Sequence, residues 1–237
     1  MGVLTKASHE YWATISGSSV GELLQQEESL DKWGVTAIEF RADLINFDAY
    51  HELLSSNRWK RPTFIAHFGV GKEADVARES LLEAVRSGVS GVICHSRCEH
   101  LEEILKRTRS AGKLFAAAYH SQEPMSFDDA INEFEFQGTL KPLFRKIACR
   151  AHNFGDALVL LQAVYVSYQK GGIPVVGAVF GQHRWARIAM PIAGSAITFL
   201  IAHQVRNEVD GDDEQLQIPE LDELRGVRGI LTATGNI

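Results

Sequence analysis

The stretch Phe144-Arg145-Lys146-Ile147-Ala148-Cys149 reads as a short apolar strand with a lysine at its centre. Before it, Phe127 to Gln137 has helical spacing and ends at Gly138; after it, Phe154 to Gln169 has the same spacing and ends at Gly171-Gly172. The same strand-then-helix unit recurs in both directions along the chain. Strands are expected at Tyr11–Ile15, Thr36–Leu44, Thr63–Phe68, Gly91–His95, Lys113–His120, Leu143–Cys149, Pro174–Phe180 and Ser195–Ala202. The helices between them are expected at Val20–Trp33, Ala49–Ser56, Glu73–Ser87, Leu101–Ala111, Phe127–Gln137, Phe154–Gln169 and, briefly, Trp185–Met190. Strands alternating with helices imply a parallel sheet with crossover helices. Eight repeats in this length point to an α/β (β/α)8 TIM barrel, with an open doubly wound sheet as the rival. Residues 1–10 read as a loose start, Val209–Glu214 as an acidic loop, Gln217–Leu224 as a terminal helix and 225–237 as a linker towards a further domain, so the barrel is expected over 1–224.

Composition sets outer limits. The 237 residues are 45% hydrophobic and 23% charged, which suits a globular domain with a sizeable core. A net charge of −6 and no long basic cluster argue against direct binding of nucleic acid. The longest apolar run, Ile188 to Ala202, is interrupted by Pro191 and Gly194 and is too short to span a bilayer. Three cysteines and no leader pattern fit a cytoplasmic or nuclear compartment. Dimerisation is compatible with all of this.

In a barrel, residues at the C-terminal ends of the strands share one mouth. Glu39, Arg41, His67, His95, His120 and Lys146 lie near such ends. Glu39, Arg41 and Asp43 alternate, so they are expected on one face of the second strand, where three charges would be costly unless paired or bound. A lysine among Phe, Ile, Ala and Cys resists protonation, and a neutral amine attacks carbonyls, with an imidazole such as His120 to move the protons. The plain alternative is a strand-end lysine with its ammonium in water, as most lysines are.

Three other patterns are weaker. Cys94-His95-Ser96-Arg97-Cys98-Glu99-His100 has C-x3-C spacing, but no second Cys or His pair follows it, and alternation turns Cys94 away from His95. A strand end followed by a solvated turn, with no metal, is the expectation there. Gly69-Val70-Gly71-Lys72 lacks the full phosphate-loop pattern and reads as a turn. Trp33, Trp59 and Trp185 read as packing or surface residues.

Taken together, Glu39-Phe40-Arg41-Ala42-Asp43, Tyr119-His120, Lys146-Ile147-Ala148 and Gly194-Ser195-Ala196-Ile197-Thr198-Phe199 resemble the type I 3-dehydroquinate dehydratase family over nearly the whole chain. The resemblance implies a TIM barrel and a reaction without cofactor. Lys146 would form an imine with the substrate ketone, and His120 would move protons. Glu39 and Arg41 would hold ring hydroxyls, a late arginine (Arg187, or Arg184 with a small shift) would grip the carboxylate, and Gln215 would close over the site. Several positions depart from the family pattern, among them the fourth strand, which reads Val92-Ile93-Cys94-His95 where the family carries acidic residues. His67 stands where the family has an arginine, and Gly71 where an acidic or amide residue orients the histidine. The expected lid, Gly211-Asp212-Asp213-Glu214-Gln215, adds three carboxylates beside a site for an acid. Such erosion resembles the dehydroquinase-like domain of fungal quinate-pathway repressor proteins. The resemblance therefore implies a weak or inactive site that senses a 3-dehydroquinate-like small acid or contacts an activator protein. An active dehydratase forming 3-dehydroshikimate is the alternative, with Glu73 or His67 supplying the missing function, and a barrel serving only as a contact scaffold is a third.

Overall fold

Eight short strands, each apolar on at least one face, wind into a parallel sheet in the computed structural model, which describes residues 9–31, 34–56 and 58–201. They are β1 (Glu10–Ile15), β2 (Val35–Arg41), β3 (Thr63–His67), β4 (Gly91–His95), β5 (Leu114–Ser121), β6 (Arg145–Arg150), β7 (Val175–Phe180) and β8 (Ile197–Ile201). The helices are α1 (Val20–Ser29), α2 (Phe47–Ser56), α3 (Ala74–Arg86), α4 (Leu101–Ser110), α5 (Phe127–Thr139), α6 (Phe154–Lys170) and the short α7 (Ala186–Ala189). The strand order is β7-β6-β5-β4-β3-β2-β1-β8, with every pair parallel. That is the ring of a (β/α)8 barrel opened at one seam, and it settles the choice against a doubly wound sheet.

Alternation fills the lumen. Trp12, Ala37, Phe64, Ala66, Ile93, Ala116, Ala118, Phe144, Val176 and Phe199 point inwards and form one apolar cluster. Trp12 is its hub: its ring lies 4.5 Å from Phe64, 5.4 Å from Phe144 and 5.9 Å from Phe199, centroid to centroid. Its indole N–H reaches the rim and donates to Glu10 Oε2 at 2.9 Å, so no polar atom is stranded. The opposite strand faces, with Ile38, Ile65, Val92 and Phe115, pack under the helices. Each large side chain so buried contributes about 1.5–3 kcal/mol.

Helix starts follow local chemistry. Ser19, Ser126 and Asn153 precede α1, α5 and α6, and each side chain accepts from a backbone N–H in the first turn. At α6, Asp156 completes a capping box by accepting from the Asn153 N–H.

Two expected elements are shorter than their sequence pattern. α1 stops at Ser29, where Leu30 turns its N–H back onto the carbonyl of Glu27. β2 stops at Arg41, and Ala42–Leu44 forms a 3-10 turn. Asp43 therefore does not share an inner strand face with Glu39 and Arg41. The turn carries it to an exposed position where it pairs with the Arg41 guanidinium.

The seam between β7 and β8 is closed by other means. In a parallel strand alternate residues direct their backbone groups to the same side. Val175 O accepts from the Ala196 N–H at 2.8 Å, and Gly177 N–H donates to Ser195 Oγ at 3.2 Å. Val179 O accepts from Arg187 Nε at 2.7 Å. Gly194, at φ +95°, makes the turn into β8, and a Cβ there would sit 2.3 Å from the Tyr168 ring, so only glycine fits.

The acidic loop, the terminal helix expected at Gln217–Leu224, the linker 225–237, the loose start before His9, and Trp33 lie outside the described residues. No helix among the described residues is long and apolar enough to cross a membrane.

Candidate functional site

One layer above the aromatic lumen, towards the strand C-terminal ends, the inward residues become polar. Thr14 follows Trp12, Glu39 follows Ala37, Lys146 follows Phe144 and His120 follows Ala118, each two positions on and so on the same face. Register places Lys146 beside Ala118 and His120 beside Ala148 on neighbouring strands. The two candidate reactive groups thus share one wall of the barrel.

Lys146 is 4% exposed. Its Nζ lies 3.6 Å from Glu39 Oε2, and the other carboxylate oxygen accepts from Thr14 Oγ1 at 2.8 Å. Two aromatic faces enclose the amine: the Phe199 centroid is 3.8 Å from Nζ and the Phe68 centroid 5.5 Å. Burial lowers the Lys146 pKa to about 8; the Glu39 charge opposes that shift, while Arg41 and Arg187 reinforce it. At pH 7 about one amine in ten would be neutral, against about one in three thousand for an ordinary lysine. The water-exposed, strand-end reading of this lysine is thereby excluded.

His120 is held well below the ordinary histidine range, first by burial and then by the cations Lys146 and Arg41, so it is a neutral imidazole. Its ring stacks on Phe68 at 3.9 Å between centroids and 27° between planes. Its Nε2 is buried and has no hydrogen-bond partner among the described residues. His95, on β4, supports the backbone instead. Its Nδ1 faces the Arg97 N–H at 3.1 Å, and its Nε2 lies 3.2 Å from the His120 backbone nitrogen and 3.4 Å from the His120 carbonyl oxygen, so the ring bridges two backbone segments.

Arg41 is 4% exposed, and its guanidinium lies 4.5 Å from the Phe68 ring centroid. It reaches Asp43 through two nitrogens, with Nε 2.8 Å from Oδ1. Arg187 is buried and close enough to Glu39 to feel its charge; burial lowers its pKa to about 10. Arg184 is exposed. Of the two candidate carboxylate grips, Arg187 is the one within the barrel. Gln215 lies outside the described residues.

His67 does not join this group. It has the strand parity of Ile65, which faces the helices, and its Nδ1 accepts from the Gly69 N–H at 3.1 Å. The lumen position at the end of β3 belongs to Phe68, which is 9% exposed and touches His120, Arg41 and Lys146. The expected convergence of His67 on the mouth is thus corrected by alternation. Continuing the inward series Phe64, Ala66 by two residues would have found Phe68 in the sequence. Gly71 lies beyond the strand, with its N–H donated to Glu99 at 2.9 Å.

Behind the reactive wall lies a second polar cluster that carries no sequence motif. Glu133 on α5 is 3% exposed and accepts from Ser96 Oγ at 2.6 Å, from Arg97 through two nitrogens, and from Gln137 at 2.9 Å. Gln137 also donates to the carbonyl oxygen of Lys146 at 3.0 Å. This fixes α5 against the strand that bears the amine.

Cys94 lies between sheet and helices, facing away from His95, as alternation requires. Among the described residues no group of His, Cys, Asp and Glu could hold a metal ion. The arrangement as a whole, a desolvated amine with a neutral imidazole and buried arginines, can form and protect an imine with a carbonyl compound that carries a negative charge.

The sequence model of the type I 3-dehydroquinase family matches residues 11–232. No curated protein matches the chain by sequence. Among solved structures, 3-dehydroquinate dehydratase from Geobacillus kaustophilus is 20% identical, with a TM-score of 0.78 over 95% of this chain and 92% of that one. A type I 3-dehydroquinate dehydratase from Clostridium difficile, covalently modified with comenic acid, is 19% identical, with a TM-score of 0.80 over 96% and 94%. The 3-dehydroquinate dehydratase from Enterococcus faecalis is 16% identical, with a TM-score of 0.76 over 94% of each chain.

Proposed function

Because the chain belongs to the type I 3-dehydroquinase family, we propose that its barrel captures a cyclic keto acid as an imine on Lys146 and dehydrates it slowly or not at all. The observation that carries this reading is the setting of His120. Its ring lies flat against the hydrocarbon face of Phe68, and its buried Nε2 has no partner among the described residues. Lys146, by contrast, keeps its carboxylate neighbour and a lowered pKa. Imine formation joins the amine to the ring ketone and releases water. Dehydration then needs a proton taken from the carbon next to the imine and a proton given to the departing hydroxyl, so it depends on an imidazole aimed at both. An imidazole seated by ring stacking, with no hydrogen bond at Nε2 among the described residues, is aimed less closely than one held through that nitrogen, and misplacement costs a factor of about 10² or more.

Glu39 and Arg41 would contact the ring hydroxyls, Arg187 the carboxylate and Gln215 the closed lid. The departures at His67 and Gly71 suit the dehydroquinase-like domain of a quinate-pathway repressor, where ring-acid binding would be passed to transcription through another domain or an activator protein. The retained amine supports a second reading, an active dehydratase that forms 3-dehydroshikimate.

The test uses 3-dehydroquinate with and without borohydride. The expected result is a stable adduct mapped to Lys146, with enone absorbance growing only slowly. Turnover at a rate expected of a working dehydratase, abolished in Lys146→Ala, would overturn the slow reading in favour of the second. Absence of any adduct and of any turnover would overturn both.

A further inference from the structure

The outer wall of the barrel at α6 differs from the walls at α3 and α4. The exposed sides of those two helices carry charges, among them Glu79, Arg86, Glu102, Lys106 and Arg107. α6 has no charged residue between Asp156 and Lys170. Its inner side, with Ala157, Leu160, Ala163 and Val164, is buried in the core cluster under the sheet. On its outer side Phe154, Leu158 and Tyr165 are 56%, 45% and 51% exposed, with the half-buried Leu161 between them. Steps of four, three and four residues put all four on one stripe. A helix that is apolar on both sides is built to be covered on both. The α7 segment widens the stripe. The Trp185 ring stacks on Phe154 at 5.3 Å between centroids, and Ile192 is exposed. The three aromatic side chains alone leave roughly 300 Å² of apolar surface in water, and Leu158 and Ile192 add to it. A patch of that kind marks an interaction site.

We infer that this wall is the interface of a two-fold dimer, in which α6 packs antiparallel on α6 of a second copy of the chain. The inference is independent of the chemistry at Lys146. Two observations name the occupant. First, the stripe reads the same from either end: aromatic, leucine, leucine, aromatic at 154, 158, 161 and 165, symmetric about its midpoint. A two-fold axis at that midpoint sets Phe154 opposite the partner's Tyr165 and Leu158 opposite the partner's Leu161, and it aligns the two helix dipoles antiparallel. A foreign partner would require no such mirror pattern. Second, the stripe is uncharged, so it meets its own copy without any like-charge clash, whereas the faces of α3 and α4 would have to match each charge with its opposite. A stable interface takes about 800 Å² from each partner. The apolar patch supplies the centre of that area, and flanking polar residues such as Gln162 supply the rim. The paired wall is the side of the barrel, so the mouth over Lys146 stays open.

The test is sedimentation velocity of the full chain over a micromolar dilution series, since self-association follows mass action. The expected result is a two-chain species that dissociates on dilution. Leu158→Arg sets two like charges near the centre of the pair and should weaken association about a hundredfold. Tyr165→Glu should act in the same direction from the edge of the stripe, and it decides the matter should Leu158→Arg fail to fold. Val76→Arg, at a comparably exposed apolar residue of α3, should leave the mass distribution unchanged. The antiparallel arrangement is read from Leu158→Cys. In that arrangement the two copies of residue 158 lie about 5 Å apart along the helix axis. Oxidation with diamide should therefore join them in a disulfide-linked dimer, which Val76→Cys should not form; Cys94, Cys98 and Cys149 are buried. A single-chain mass at every concentration would overturn the dimer. A dimer that persists in both charge variants, each shown to be folded by circular dichroism, would place the interface elsewhere. A dimer lost in those variants but giving no link at residue 158 would overturn the antiparallel pairing.

Discussion

Lys146 shows how far one side chain's surroundings decide its chemistry. Burial favours the free amine and Glu39 favours the ammonium, and the balance lies near pH 8. Adduct formation should therefore rise with pH through a midpoint near 8, not near the 10.5 of an ordinary lysine, when trapping yield is measured across a pH series. Glu39→Gln removes the opposing charge, so the same series should show a midpoint below 8. A midpoint that moves upward would contradict the electrostatic account. Much of this site was legible in the sequence: Lys146 by its apolar neighbours, Glu39 and Arg41 by alternation. Phe68 was not, because a phenylalanine at a strand end carries no chemical flag and only its parity with Phe64 and Ala66 marks it. Asp43 was misplaced because nothing in the alternating charges signals that β2 ends at Arg41 and turns.

At the scale of the element, α5 and β6 behave as one unit. Glu133 accepts from the buried Ser96 and Gln137 and from the half-exposed Arg97, so Glu133→Ala strands the Ser96 hydroxyl and one Gln137 N–H. A loss of about 3 kcal/mol is expected in urea unfolding. Asn153→Ala, which removes one cap at the start of α6, should cost about 1 kcal/mol by the same measurement. The element series itself was readable because each apolar run is bounded by glycine, proline or a capping residue. Helix lengths were less so: α1 has apolar spacing as far as Trp33, yet Leu30 closes it.

The molecule as a whole responds to acid through its buried histidines. Burial pushes His9, His67, His95 and His120 below the usual value of 6.5. In the window below 6.5 the unfolded chain binds these protons first, so stability present at neutral pH is lost as pH falls. Each proton changes stability by up to about 1.4 kcal/mol per pH unit within its window. Thermal midpoints should fall between pH 7.5 and 5.5, and the fall should shrink in His95→Gln. Eight repeats made the barrel legible, but ring closure was not, since it depends on stagger between strands distant in sequence. The join between β7 and β8 relies on a hydroxyl, a guanidinium and one amide where a full ladder would otherwise run. Deuterium uptake should accordingly begin along that line, at Val175–Val179 and Ser195–Ile197. Arg187 is a rivet there as well as a candidate anion grip, so a ligand that immobilises it should slow uptake on both flanks, and occupancy of the mouth would be written into the stiffness of the cylinder wall.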